Sequence, residues 1–193
     1  HGMGHFDPRV LAAMGEEDRA KKHAADLKDV KQHWSVENGE LVNDGHGPYA
    51  TSDEEVGDIE FLIEYKTVAK ADSGIYLRGT PQVQIWDYTE AGGKWDRGAD
   101  KGSGGLWNNP GGTPGKDPLV FADNPIGEWD TVRVVMTGER VSVWLNGKLV
   151  VDNTVLENYW ERNKPIYETG QIELQNHGNT LYFKNIYIRE IPG

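Results

Sequence analysis

Two alternating runs, RVSVWL at Arg140–Leu145 and KLVV at 148–151, are separated only by Asn146-Gly147. Asn-Gly accepts the positive φ angles of a two-residue turn whose twist matches paired antiparallel strands. The chain must therefore double back on itself here as a hairpin. The same grammar recurs at Asn38-Gly39, between residues 35–37 and 40–42. Ile59–Lys66 alternates Ile59, Phe61, Ile63 and Tyr65 with Glu60, Leu62, Glu64 and Lys66, so one face enters a core and the other meets solvent or a ligand. Further extended runs are expected at 131–136, 170–175 and 181–189. At least nine short strands joined by turns predict an all-β sandwich or barrel, and two packed sheets are the simpler arrangement.

Residues 7–32 break this pattern. They are rich in Ala, Leu, Glu and Lys, with Pro8 in an early helical position, and predict one or two short helices. The expected organisation is an N-terminal helical extension over 1–33, its opening HGMG read as partly expression-derived, followed by a single β domain over 34–193. The stretch 88–124, rich in Gly and Pro, predicts either a surface excursion or a wall over a site. Trp95 and Trp107 favour the wall.

Composition removes several classes of function. A net charge of −11, from 20 Lys and Arg against 31 Asp and Glu, opposes a nucleic-acid backbone as partner. No cysteine is present, which excludes thiol catalysis and thiolate metal sites. No apolar run approaches the roughly 20 residues of a membrane-spanning helix. Seven Trp and eight Tyr supply large amphipathic surfaces.

The segment ADSGIYLRGTPQVQIWDY, residues 71–88, concentrates groups that can bind a substrate. Strand parity places Tyr76 and Arg78 on one face of the first run, and Gln82, Gln84 and Trp86 on one face of the second. Arg78 can hold an anion or polarise an oxygen, or else pair with Glu64 as a structural ion pair. Tyr76 offers a hydroxyl donor and a ring, or caps the core. Gln84 can read hydroxyl groups while Trp86 packs on the apolar face of a sugar. Asp87 and Tyr88 stand at the strand exit, where Asp87 is either a turn former or a site-edge ligand. Glu64 is either a solvated strand residue or a general base. A second concentration, QIELQNHGN, places Gln171, Glu173, Gln175 and His177 at one parity; His177 can move a proton near neutral pH or bond across the corner before Gly178. His46, in NDGHGPY, has no assigned role. Multi-His zinc spacing, a P-loop and a G-x-S-x-G elbow are all missing, so neither cofactor nor catalytic metal is expected; a bound cation would have to be assembled across strands or from Asp residues of the long loop.

Seven blocks, WSVENGELV, DIEFLIEYK, DSGIYLRG, VQIWDY, GEWDTVRVV, VSVWLNGKLVVDN and QIELQNHGNTLYFKNIYIR, resemble in their order the 3-keto-disaccharide hydrolase-like family. The resemblance implies a concanavalin A-like jelly-roll sandwich, a carbohydrate substrate and a periplasmic or extracellular location. It implies cleavage of 3-keto glycosides or 3-keto disaccharides. A carbonyl at C3 acidifies the C2 proton, so the expected route is proton abstraction by Glu64 or His177, with Arg78 or Tyr76 at the developing oxyanion and the other acid/base group at the leaving group, then elimination and hydration. Carried onto this sequence, the family-like polar positions are Glu64, Tyr76, Arg78, Gln84, Asp87, Gln175 and His177, while the helical preface and the Trp-containing loop depart from the shared pattern. From the residues themselves, Trp86, Tyr88, Trp95 and Trp107 are the expected aromatic contacts to substrate. Direct hydrolysis by a Glu64 and Asp87 pair is one alternative. A non-catalytic carbohydrate-binding module is another. Oligomeric state is open.

Overall fold

The computed structural model describes residues 2–193. The reading of HGMG falls partly on His1, outside that range; Gly2–Met3 forms the short strand β1. Helix α1, Pro8–Ala12, is capped by Asp7, whose carboxylate accepts from the Arg9 amide, and Pro8 occupies the first turn where its missing N–H costs nothing. Helix α2, Glu16–His33, is longer than the sequence suggested, with acidic residues in its first turn and Lys31 and His33 in its last. None of its described residues is buried, and it runs straight into the first strand of the domain.

The strands that follow are β2 (Trp34–Glu37), β3 (Glu40–Asn43), β4 (Tyr49–Thr51), β5 (Ile59–Lys66), β6 (Asp72–Leu77), β7 (Thr80–Trp86), β8 (Trp129–Thr137), β9 (Arg140–Leu145), β10 (Lys148–Val155), β11 (Glu173–Leu174) and β12 (Leu181–Glu190). They form two antiparallel sheets, of order β1-β4-β11-β6-β7 and β10-β9-β8-β5-β12-β3-β2. The protein is a jelly-roll β-sandwich with an N-terminal helical extension. Both Asn-Gly turns adopt positive φ at each residue, 52° and 81° at Asn38-Gly39 and 50° and 78° at Asn146-Gly147.

Ile59, Phe61, Ile63 and Tyr65 of β5 are at most 1% exposed and meet Ile75 and Leu77 of β6 and Val83 and Ile85 of β7 across the interior. Every residue of β6 and β7 is buried, on both faces. One face is the core; the other lies under the N-terminal segment and the long loops, which turn what should be a solvated face into the floor of a recess. Strand β11 is shorter than the 170–175 run expected. Only Glu173 and Leu174 pair with both neighbours, because Gly170 bridges instead to Val56.

Candidate functional site

The recess is a cavity of about 330 Å³ on the outer face of the five-stranded sheet. Its floor follows from register. Asp72 and Tyr76 of β6 project from the face on which β7 presents Gln82, Gln84 and Trp86. Tyr49 of β4 and Gln175, just beyond β11, extend it to the other side. The 88–124 segment folds as the wall: the Gln84 amide donates to Gly105 O at 2.9 Å and the Trp107 amide to Gln82 O at 3.1 Å, so the loop adds backbone to the exposed edge of β7. Trp107 and Arg97 line the cavity from this wall, and the Trp86 indole is anchored to Gly102 O at 2.9 Å.

Polar groups on the floor form a directed chain. The Gln82 amide donates to Gln84 Oε1 at 2.6 Å, the Gln84 amide donates to Asp72 Oδ1 at 2.9 Å, and Asp72 Oδ2 lies 3.8 Å from His177 Nδ1. The Gln175 amide donates to Tyr49 Oη at 3.2 Å. These bonds leave acceptors over: Gln82 Oε1, Gln175 Oε1 and both oxygens of Glu173 are buried without a partner. Glu173 is wholly buried and stands opposite Tyr76 and Thr51, on the cavity side of the sheet. Burial pushes its carboxyl up to about 8, from 4.5. Burial likewise raises the Tyr49 and Tyr76 phenols, so both hydroxyls stay protonated. The floor is a surface of neutral phenols and surplus acceptors.

The structure divides the residues expected from sequence. Tyr76, Gln84, Trp86, Gln175, His177 and Trp107 line one cavity. Arg78 does not join Tyr76, because it leaves the extended conformation: Arg78 and Gly79, at φ 52° and 67°, form the two-residue turn between β6 and β7. Its guanidinium turns away and donates to Gly57 O at 3.2 Å, Tyr167 O at 2.8 Å and Asp58 Oδ1 at 2.9 Å. Glu64 is on the outer face of the opposite sheet, where it accepts from Asn185 in a bulge of β12 at 2.9 Å and pairs with Lys184 at 3.5 Å. The whole core separates it from the cavity, so neither the Glu64–Arg78 pair nor a catalytic Glu64–Asp87 pair exists. Asp87 is a turn former: its carboxylate accepts from the Thr89 amide and hydroxyl and from the Lys70 amide. Burial opposes its ionisation, but these bonds outweigh that and lower its pKa. The Trp95 indole donates to Tyr88 O, and Tyr88 packs edge-on against Phe121; neither lines the cavity.

Sequence reasoning missed five lining residues. Asp72 was within reach, since the alternation through Gly74 and Tyr76 extends back to it. Tyr49, Arg97 and Tyr159 arrive from loops and a distant short strand with no periodic signal. His5 arrives from the N-terminal segment and makes a 2.8 Å hydrogen bond through Nδ1 to Tyr76 Oη, its ring against Tyr159 and Trp160, each at 4.9 Å. That segment is clasped by Arg9, which pairs with Asp7 and Glu161 and covers the Tyr167 ring. Among the described residues one group of imidazoles and carboxylates is close enough to share an ion, His33, Asp44 and His46, and it is outside the cavity.

The family described as the 3-keto-alpha-glucoside-1,2-lyase-like domain matches residues 17–189, nearly the whole β-sandwich together with α2. The chain belongs to this family. Its fold is shared with two presumed glycosyl hydrolases of Parabacteroides distasonis ATCC 8503. One is 24% identical with a TM-score of 0.60, over 82% of this chain and 74% of that one. The other is 23% identical with a TM-score of 0.63, over 83% and 91%. The carbohydrate binding module CBM66 of Bacillus subtilis superposes with a TM-score of 0.52 at 10% identity, over 81% of this chain and 91% of the module. No curated protein matches. Within the family domain the lyase-like match begins at residue 17, so His5 enters the cavity from outside the matched stretch.

Proposed function

We propose that the cavity binds the 3-keto sugar ring of a glycoside and cleaves its glycosidic bond by elimination and hydration. The observation that carries this reading is the acceptor surplus of the floor. The amide oxygens of Gln82 and Gln175, without partners, favour a ligand that brings donors, and a polyol brings several, while Trp86 and Trp107 supply ring faces for its apolar side. Family membership supplies the 3-keto chemistry. A carbonyl at C3 acidifies the proton on C2. His177, held beside Asp72, takes that proton; the C2–H electrons form the enolate, whose charge on the C3 oxygen is met by the neutral Tyr76 hydroxyl. Collapse of the enolate expels the oxygen at C1, which leaves as an alcohol by taking up the proton that His177 removed from C2. Water then adds across C1 and C2, hydroxyl to C1 and proton to C2. The sum is hydrolysis, without the paired carboxylates of an ordinary glycosidase.

Comparing ordinary disaccharides with their 3-keto counterparts tests this. Turnover is expected only with the keto sugars, accompanied by exchange of C2 hydrogen with solvent deuterium. His177→Ala should lower kcat by about 100-fold or more. Turnover without C2 exchange would sink the elimination route, and saturable binding without turnover would leave a binding module.

His5→Ala is expected to weaken binding of a 3-keto disaccharide by roughly 5- to 10-fold, the value of about one hydrogen bond. The loss should appear in Trp fluorescence titrations, with the thermal unfolding midpoint nearly unchanged. His5→Asn, which retains a polar atom close to the Nδ1 position, should recover most of it; no change in affinity for His5→Ala would remove the N-terminal segment from the site.

A further inference from the structure

His46 takes no part in the cavity, yet it does not stand alone. It belongs to the loop between β3 and β4, which packs against the last turn of α2. His33 Nδ1 is 2.9 Å from Asp44 Oδ2, and His46 Nδ1 is 3.6 Å from Asp44 Oδ1. One ligand atom from each of the three side chains lies within 4.8 Å of the others. Two ligand atoms each about 2.0 Å from a tetrahedral ion sit roughly 3.3 Å apart; each imidazole stands near that spacing from one oxygen of Asp44, His33 from Oδ2 and His46 from Oδ1, so the carboxylate spans the two rings.

The surroundings hold this arrangement in place. Asn43 is fully buried, and its amide donates to the backbone carbonyls of both histidines, to His33 O at 3.3 Å and His46 O at 3.0 Å. Its side-chain oxygen accepts from the Gly45 amide at 2.8 Å. One buried side chain therefore ties together the backbones that carry both imidazoles. Gly47, at φ 76°, lies against the His33 ring so closely that a Cβ there would come within 2.6 Å of it. On its far side, His33 Nε2 faces Asp29 at 3.7 Å, the carboxylate behind an imidazole that commonly orients a metal-bound histidine.

We propose that His33, Asp44 and His46 form a binding site for one divalent transition-metal ion of the Zn2+ class. Two imidazole nitrogens and a single carboxylate suit borderline ions; Ca2+ and Mg2+ prefer all-oxygen shells. Three protein ligands leave a position for water, in keeping with an exposed site. The ion would fasten the end of α2 to the β3–β4 loop. That loop in turn receives a hydrogen bond from Asn176, beside His177, at Gly47 O.

Isothermal titration of the full chain with ZnCl2 and with CaCl2 tests the site, using the wild type, His46→Ala and Asp44→Asn. The wild type should take up one Zn2+ with micromolar affinity and show no comparable uptake of Ca2+, and its unfolding midpoint should rise with Zn2+. Each substitution should weaken Zn2+ binding by about tenfold or more. His46 is 75% exposed at its side chain, so its loss should leave the metal-free unfolding midpoint unchanged. No saturable Zn2+ binding by the wild type, or affinity unaltered in both variants, would overturn the proposal.

Discussion

Replacing Glu173 by Gln is expected to make the protein more stable, by an amount that grows with pH. In the native state the Glu173 carboxyl is wholly buried, and burial raises its pKa from 4.5 to about 8. Unfolded, it returns to the ordinary value. Below the unfolded value both states hold the proton, and Glu173 contributes no pH dependence. Between the two values the native state binds one proton more than the unfolded state, so stability falls as pH rises. Above about 8 the loss is complete. A shift of this size corresponds to roughly 3 to 5 kcal/mol. Gln keeps the shape, carries no charge at any pH, and offers N–H donors where the protonated carboxyl offers its O–H. Denaturant melts of the two proteins at pH 5, 7 and 9, a span chosen to cross the raised pKa, should nearly coincide at the lowest value and separate progressively above it. Curves that stay parallel throughout would remove Glu173 from this account.

Arg78→Met should destabilise the protein by about 3 to 5 kcal/mol, the typical consequence of removing one partner from a buried ionic network. The side chain is 3% exposed, and it satisfies two backbone carbonyls and Asp58 at once. Met fills similar volume and leaves the three acceptors without that donor. Asp58 keeps its bond from the Gly138 amide at 2.8 Å, so the β8–β9 turn should survive, and the damage should centre on the contact between the β6–β7 turn and residues 57 and 167. At a temperature where the variant is folded, affinity for a 3-keto disaccharide should be unchanged. An intact unfolding midpoint with lost affinity would instead return Arg78 to the site.

Arg78 also marks the boundary of what local pattern can decide. The alternation of Ile59–Lys66, the Asn-Gly turns and the capping of α1 are dictated by short-range sterics and by the period of a strand, and all are present in the fold. The shared face of Gln82, Gln84 and Trp86 follows from the same period, because β7 is regular along that stretch. Parity fails one residue past the end of β6, where Arg78 enters a left-handed turn and its side chain leaves the face that Tyr76 keeps. Glu64 obeys its parity faithfully and still lies outside the cavity, since parity names a face of a strand and says nothing of which sheet the strand joins.

The sequence by itself determined an all-β fold of turn-linked strands with a helical preface, and the polar row of β7 with Tyr76 of β6, because turn chemistry and side-chain alternation act over a few residues. Only the tertiary structure decided that this row is a roofed floor, that Asp72, Tyr49, Tyr159, Arg97 and His5 converge on it, and that Glu173 is buried beneath without a partner. Those facts depend on contacts between residues as far apart as His5 and Tyr159, and on the dielectric that burial creates around a carboxyl, neither of which any local pattern encodes.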